Sequence, residues 1–137
     1  MPPEEVLRKL RIPFVRKATL EYGAEREELF VIDVALDGLF VERAQPLAVG
    51  SEVMVRMQLP GNELPFTAQC RVAWWHPREA PLTSKSLPAG MGLEIVQASE
   101  VDRNRLREHI EEYWRQDPTV RRFLRHWPEA ERKGDDP

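Results

Sequence analysis

Only one cysteine, Cys70, occurs in the 137 residues, so no internal disulfide framework can form. Its surroundings, Phe66-Thr67-Ala68-Gln69-Cys70-Arg71-Val72, read as a strand interior. A thiol there behaves as a small buried hydrophobe and not as a nucleophile. Histidine is scarce too, and His76, His109 and His126 fall at no metal-ligand spacing. H-x-x-x-H, C-x-x-C, G-x-S-x-G, a phosphate-binding loop and a dinucleotide fingerprint are all missing. These absences argue for a binding module rather than an enzyme, with no metal and no resident cofactor. No run of about 18 apolar residues exists, which excludes a helical membrane span. The acidic start, Met1-Pro2-Pro3-Glu4-Glu5-Val6, lacks a signal-peptide core, so the expected location is the cytoplasm. Positive charge is not in surplus: 20 Lys and Arg face 23 Asp and Glu, a net charge of −3. That sum argues against duplex nucleic acid held by the overall field, while leaving room for a local basic patch.

The composition that remains, 42% hydrophobic and 31% charged, is that of a folded globular chain long enough for one domain and a small appendage. Three segments follow from it. Residues 1–16 form a basic arm, residues 17–116 a β-rich body with a covering helix, and residues 117–137 an extra helix and a polar, disordered tail. In the arm, Arg8, Lys9, Arg11 and Arg16 fall within nine positions, and Glu4 to Leu10 suits one or two helical turns. Such cations serve either as a solvated terminal segment or as an anion clamp, because an arginine fork matches phosphate.

The body reads as short strands: Lys17–Tyr22, Leu29–Leu36, Leu39–Glu42, Ser51–Leu59, Leu64–His76 as one strand or two, and Gly90–Val96. Ala24 to Glu28 reads as a polar loop. Val53, Val55, Met57 and Leu59 alternate with polar residues, the signature of a half-buried antiparallel strand. Trp74 and Trp75 are adjacent, so one faces the core and the other faces out or covers a barrel end, where it offers a stacking platform.

Ser99 then caps a helix with Asp102 at its third position and Leu106, Ile110, Tyr113 and Trp114 on one face. Asp117-Pro118 opens the extra helix, where Val120, Phe123, Leu124 and Trp127 repeat the spacing. Phe123 and Trp127 exceed what a small barrel needs to cover its mouth, which marks this helix for contact with a protein partner. Helices that follow all the strands cannot be parallel crossovers. The fold class is therefore α+β, mainly β, with helices against one face or mouth of a small antiparallel barrel or sandwich.

The stretch Val31-Ile32-Asp33-Val34-Ala35-Leu36-Asp37-Gly38-Leu39-Phe40-Val41 carries the most information. Asp37-Gly38 between two apolar runs is a hairpin or bulge signal, since glycine takes φ > 0 freely. Asp33 is a carboxylate inside a strand, so it needs a partner or a job. The bland assignments are a turn cap or a structural bridge to Arg16 or Arg71.

Taken together, Arg11-Ile12-Pro13, Asp33 to Val41, Pro46 to Gly50, Arg71 to Trp74, Pro88 to Leu93 and the capped helix from Ser99 resemble the PilZ domain family over residues 8–114. The resemblance implies a six-stranded antiparallel barrel capped by a C-terminal helix, here with an additional short helix. It implies binding of the bacterial second messenger cyclic di-GMP and relay of that signal to a protein partner. The family's motifs are R-x-x-x-R on the arm and [D/N]-x-S-x-x-G on the barrel. Asp33 and Gly38 keep the second spacing, but Ala35 stands where the serine belongs. If Arg11 is the second arm arginine, Leu7 holds the first position, with Arg8 and Lys9 beside it and Arg16 five residues on. The ligand set implied is thus Arg8, Lys9, Arg11 and Arg16 with Asp33, Ala35 and Gly38. The alternative is a degenerate adaptor that binds no nucleotide and acts through protein contacts.

Overall fold

The computed structural model describes residues 4–61, 64–76 and 89–116. Among them six strands form a closed antiparallel barrel: β1 (Ile12–Tyr22), β2 (Glu25–Ala35), β3 (Gly38–Glu42), β4 (Glu52–Gln58), β5 (Pro65–His76) and β6 (Gly90–Ala98). A short helix, α1 (Glu4–Lys9), precedes them and a longer one, α2 (Glu100–Gln116), follows. Around the ring the order is β1-β2-β3-β6-β5-β4. Two three-strand meanders therefore meet at two seams, β3 with β6 and β1 with β4.

The alternation expected for β4 is present, with Val53, Val55, Met57 and the following Leu59 all buried. Phe66, Ala68, Cys70 and Val72 of β5 face the same interior. Burial alone pushes the Cys70 thiol up to about 12, so it carries no thiolate at neutral pH. Two strands run longer than the hydrophobic pattern suggests. β1 starts at Ile12, not Lys17, because Ile12 and Phe14 already point inward (0% and 4% exposed). A register shift follows Pro13, which has no N–H to give the ladder. The segment Ala24 to Glu28 is not a loop: Gly23 and Ala24 make a two-residue turn, Gly23 with φ 57°, and β2 resumes at Glu25 opposite Tyr22. Polar residues 25–28 are paired strand residues, exposed except for the half-buried Glu27, which accepts from Arg43, a pattern that composition alone does not separate from a loop.

α2 is fixed at its first turn. The Asp102 amide donates to Ser99 Oγ at 3.0 Å, the expected cap. Asp102 Oδ2 also accepts from the Thr67 amide at 3.3 Å, while Arg105 donates to Asp102 Oδ1 at 2.7 Å and to the carbonyls of Leu64 and Pro65. Leu106 and Ile110 then enter the barrel core with Leu7 and Leu10 from the arm. Arg107 donates two hydrogen bonds to the Glu4 carboxylate, at 2.6 and 2.8 Å, and so ties α1 to α2. The additional helix expected from Asp117, with Phe123 and Trp127, lies outside the described residues.

Candidate functional site

β3 reads Leu39-Phe40-Val41, apolar without interruption, which in a strand means that both faces are covered. Leu39 and Val41 point into the barrel core. Phe40 points the other way and is still 0% exposed. Trp74 covers it: the two rings stack with centroids 5.3 Å apart and planes at 29°. Trp74 reaches that outer face because β5 shifts register between Val72 and Trp74. Trp75 pairs with the inward Met91, so the two tryptophans lie on opposite sides of the sheet, as alternation requires. Both nonetheless remain partly exposed, at 38% and 49%.

Gly92 makes room for this layer and Gly38 for the β3–β6 seam beside it, and neither has a positive φ. A Cβ on Gly92 would lie 2.2 Å from the Trp74 ring. A Cβ on Gly38 would lie 2.5 Å from the Leu93 carbonyl oxygen of the neighbouring strand. The hairpin turn is Leu36-Asp37, one residue earlier than the expected Asp37-Gly38: Gly38 already pairs with Ala35 as a strand residue and serves close strand approach, not left-handed backbone.

Above the layer sits an open cavity of about 300 Å³, at the small end of ligand-site volumes. Arg8, Arg11, Ala35, Gly38, Trp74 and Glu94 are among its walls. Arg11 spans it: its Nε lies 3.3 Å from Asp33 Oδ1, and its guanidinium carbon sits 5.6 Å from the Trp74 ring centre. Asp33 thus has a partner, Arg11 rather than Arg16 or Arg71; Arg71 instead approaches Glu94 at 3.9 Å. Burial pushes the Asp33 carboxyl above its ordinary value, and the charge and hydrogen bond of Arg11 with the Phe40 amide act against that rise without cancelling it. Arg8 reaches the cavity from α1 and lies 4.0 Å from Glu4.

The fold therefore gathers Arg8, Arg11, Asp33, Ala35 and Gly38 in one place. Lys9 belongs to α1, but its side chain lies outside the described residues. Arg16 is elsewhere: it lies over the Phe14 ring at 5.9 Å, and Phe14 meets His109 of α2 edge-on. The Arg16 charge and burial both lower the His109 pKa, burial being the larger cause. Phe40 and Glu94 are wall or floor residues that motif spacing did not single out. The unbroken apolar run at 39–41 was the readable signal for Phe40. Glu94 had none, since its place depends on which strand neighbours β3. Among the described residues no cluster of three or more His, Cys, Asp or Glu is arranged for a metal, and no helix is long and apolar enough to cross a membrane.

A closed six-stranded barrel with a helix on its core and its distinctive polar and aromatic groups on the outer wall defines a compact β-barrel module. The chain belongs to the PilZ domain family, whose model matches residues 7–112. The fold is similar to that of the Bacillus subtilis inhibitor of motility MotI/DgrA, at TM-score 0.64 and 20% identity over 85% of this chain. This chain spans only 58% of the length of that protein. It is also similar to the PilZ domain of CeSA from a cellulose-synthesizing bacterium, at TM-score 0.52 and 16% identity, covering 75% of this chain and 99% of that one. No match was found among curated proteins.

Proposed function

We propose that this PilZ domain is a cytoplasmic receptor that binds cyclic di-GMP on its outer wall and relays occupancy to a protein partner. The observation that carries the reading is the convergence of Arg8, Arg11 and Gly38 on one open cavity, with Asp33 of β2 paired to Arg11 at 3.3 Å. Arginine forks suit the two phosphates, and a carboxylate accepts N–H groups of guanine. Gly38 leaves the wall free of a side chain beside them. Ala35 removes one hydroxyl contact, a loss of about 0.5–1.5 kcal/mol that weakens a site without erasing it. Phe123 and Trp127 remain the partner contact in this reading. Isothermal calorimetry of cyclic di-GMP against the wild-type chain and Arg11→Ala tests it. Heat of binding that drops sharply in the variant is expected; no heat from folded wild type at high micromolar ligand defeats the receptor reading.

A second reading, the nucleotide-free adaptor, draws on a specific observation. Both arginines of the cavity already face carboxylates of the chain itself, Arg8 with Glu4 and Arg11 with Asp33, and Glu94 adds negative charge to the wall. In that case deleting residues 117–137 removes a partner from pull-down while the barrel keeps its melting transition. Retention of the partner by the truncated chain counts against it.

A further inference from the structure

We propose that the groove between α2 and the turn after β4 is the resting seat of the chain's own residues 118–127, held there as an antiparallel helix. The groove is a cavity of about 360 Å³ that shares no wall residue with the cavity of Arg8 and Arg11. Leu59 and Pro60 line one side. The other side is a single face of α2, running from Arg105 through His109 and Tyr113 to Gln116. Steps of four, four and three residues keep one stripe of a helix in line. That stripe is about 16 Å long, at about 1.5 Å per residue. Two atoms on it, Arg105 Nε and His109 Nε2, are buried without a hydrogen-bond partner among the described residues. Buried polar atoms are nearly always paired, so this face calls for a further neighbour.

The chain itself supplies that neighbour. α2 ends at Gln116, the last wall residue of the groove, so the segment that follows starts at its rim. Asp117 precedes a proline and is driven out of helical geometry, while Pro118 suits the first turn of a new helix. Two helices joined so tightly return antiparallel, as an αα-hairpin. Residues 118–127 then span about 15 Å, the length of the groove. Val120, Phe123, Leu124 and Trp127 fall on one face at helical spacing. The charges agree with this direction. In an antiparallel return Arg122 comes back beside Glu112 and Arg125 beside Glu108, the two exposed carboxylates of the groove rim. Glu112 already accepts from Arg115 and Gln116 at the surface, so these pairs orient the segment more than they hold it. The apolar stripe supplies the hold. A stripe seated against α2 is withheld from any other protein, so a partner that uses Phe123 and Trp127 has to lift the segment first.

The test uses the full chain in solution, by NMR. Nuclear Overhauser contacts run from the Phe123 and Trp127 rings to Leu59 and His109, and they persist on dilution. Amides of residues 120–127 are protected from hydrogen exchange. Phe123→Ser lowers that protection by about 10- to 100-fold, the worth of one buried phenyl ring. Barrel amides in the same sample show that the variant is folded. Contacts that appear only between differently labelled chains give the groove to a second copy and overturn the proposal. Amides at 120–127 that exchange as those of an unfolded peptide also overturn it and leave the groove to a separate protein. Neither result touches the calorimetry of cyclic di-GMP, so failure of the seat and failure of the receptor reading are told apart.

Discussion

β3 carries a buried layer on each of its faces, and the two are built differently. On the inside, Leu39 and Val41 pack in a core drawn from all six strands, α2 and the arm. On the outside, Phe40 is equally inaccessible, and among the described residues it is roofed by the Trp74 indole, on which the Arg11 guanidinium leans. Equal burial here conceals unequal redundancy. The inner layer is enclosed by side chains from every strand; the outer layer, among the described residues, is a stack of two rings. A layer closed by a ring at the surface differs from one closed on every side, which serves as a foundation.

The largest expected effect separates the two layers directly. Phe66→Ala, inside the barrel, costs about 3–5 kcal/mol in chemical denaturation, because the surrounding strands cannot collapse into the hole. Phe40→Ala costs less by at least about 1 kcal/mol, since Trp74 sinks into the space. Equal costs would mean that the outer layer is as rigid as the core. Next come the glycines. At Gly38→Ala the obstacle is the Leu93 carbonyl, so the β3–β6 seam itself has to part, at a cost of about 1–3 kcal/mol. At Gly92→Ala the obstacle is the Trp74 ring, which swings outward instead. The stability loss there is smaller, and tryptophan emission shifts to the red. An unchanged emission maximum would contradict the placement of that ring.

Ser99→Ala is the control on the core side. Loss of the cap lowers stability by about 1 kcal/mol and leaves tryptophan emission where it was. The smallest effect is electrostatic. Asp33 has a folded pKa above its ordinary 3.8, so its contribution to stability is complete below that value and is lost as pH rises through the folded pKa. The stability of wild type relative to Asp33→Asn therefore increases on acidification from about pH 6 to about pH 3. A difference that is flat or of opposite sign would show that Arg11 outweighs burial.

The same contrast explains what was legible in the sequence. The inner layer announces itself, because period two in Val53, Val55, Met57 and Leu59 can mean little else, and Ser99 with Asp102 marks the helix start. The placement of Arg11 near Asp33 followed from family motifs and not from any local pattern, since the two are 22 residues apart. Trp74 was visible as a stacking candidate but its backing was not. Phe40 and Gly92 meet only because β6 is the neighbour of β3, and strand order is a property of the closed ring. The true extent of β1 and β2 was hidden for a simpler reason: charged residues at exposed strand positions look like loop.

The β3–β6 seam has a further consequence. Gly38 pairs with Glu94 and Phe40 with Gly92 across it, while Trp74 leans in from β5. One meander supplies Asp33, Gly38 and Phe40; the other supplies Trp74, Gly92 and Glu94. Neither half owns the site, which comes into being only when the ring closes. A ligand held across that seam would favour the joined state by mass action and raise the melting temperature as its concentration rises.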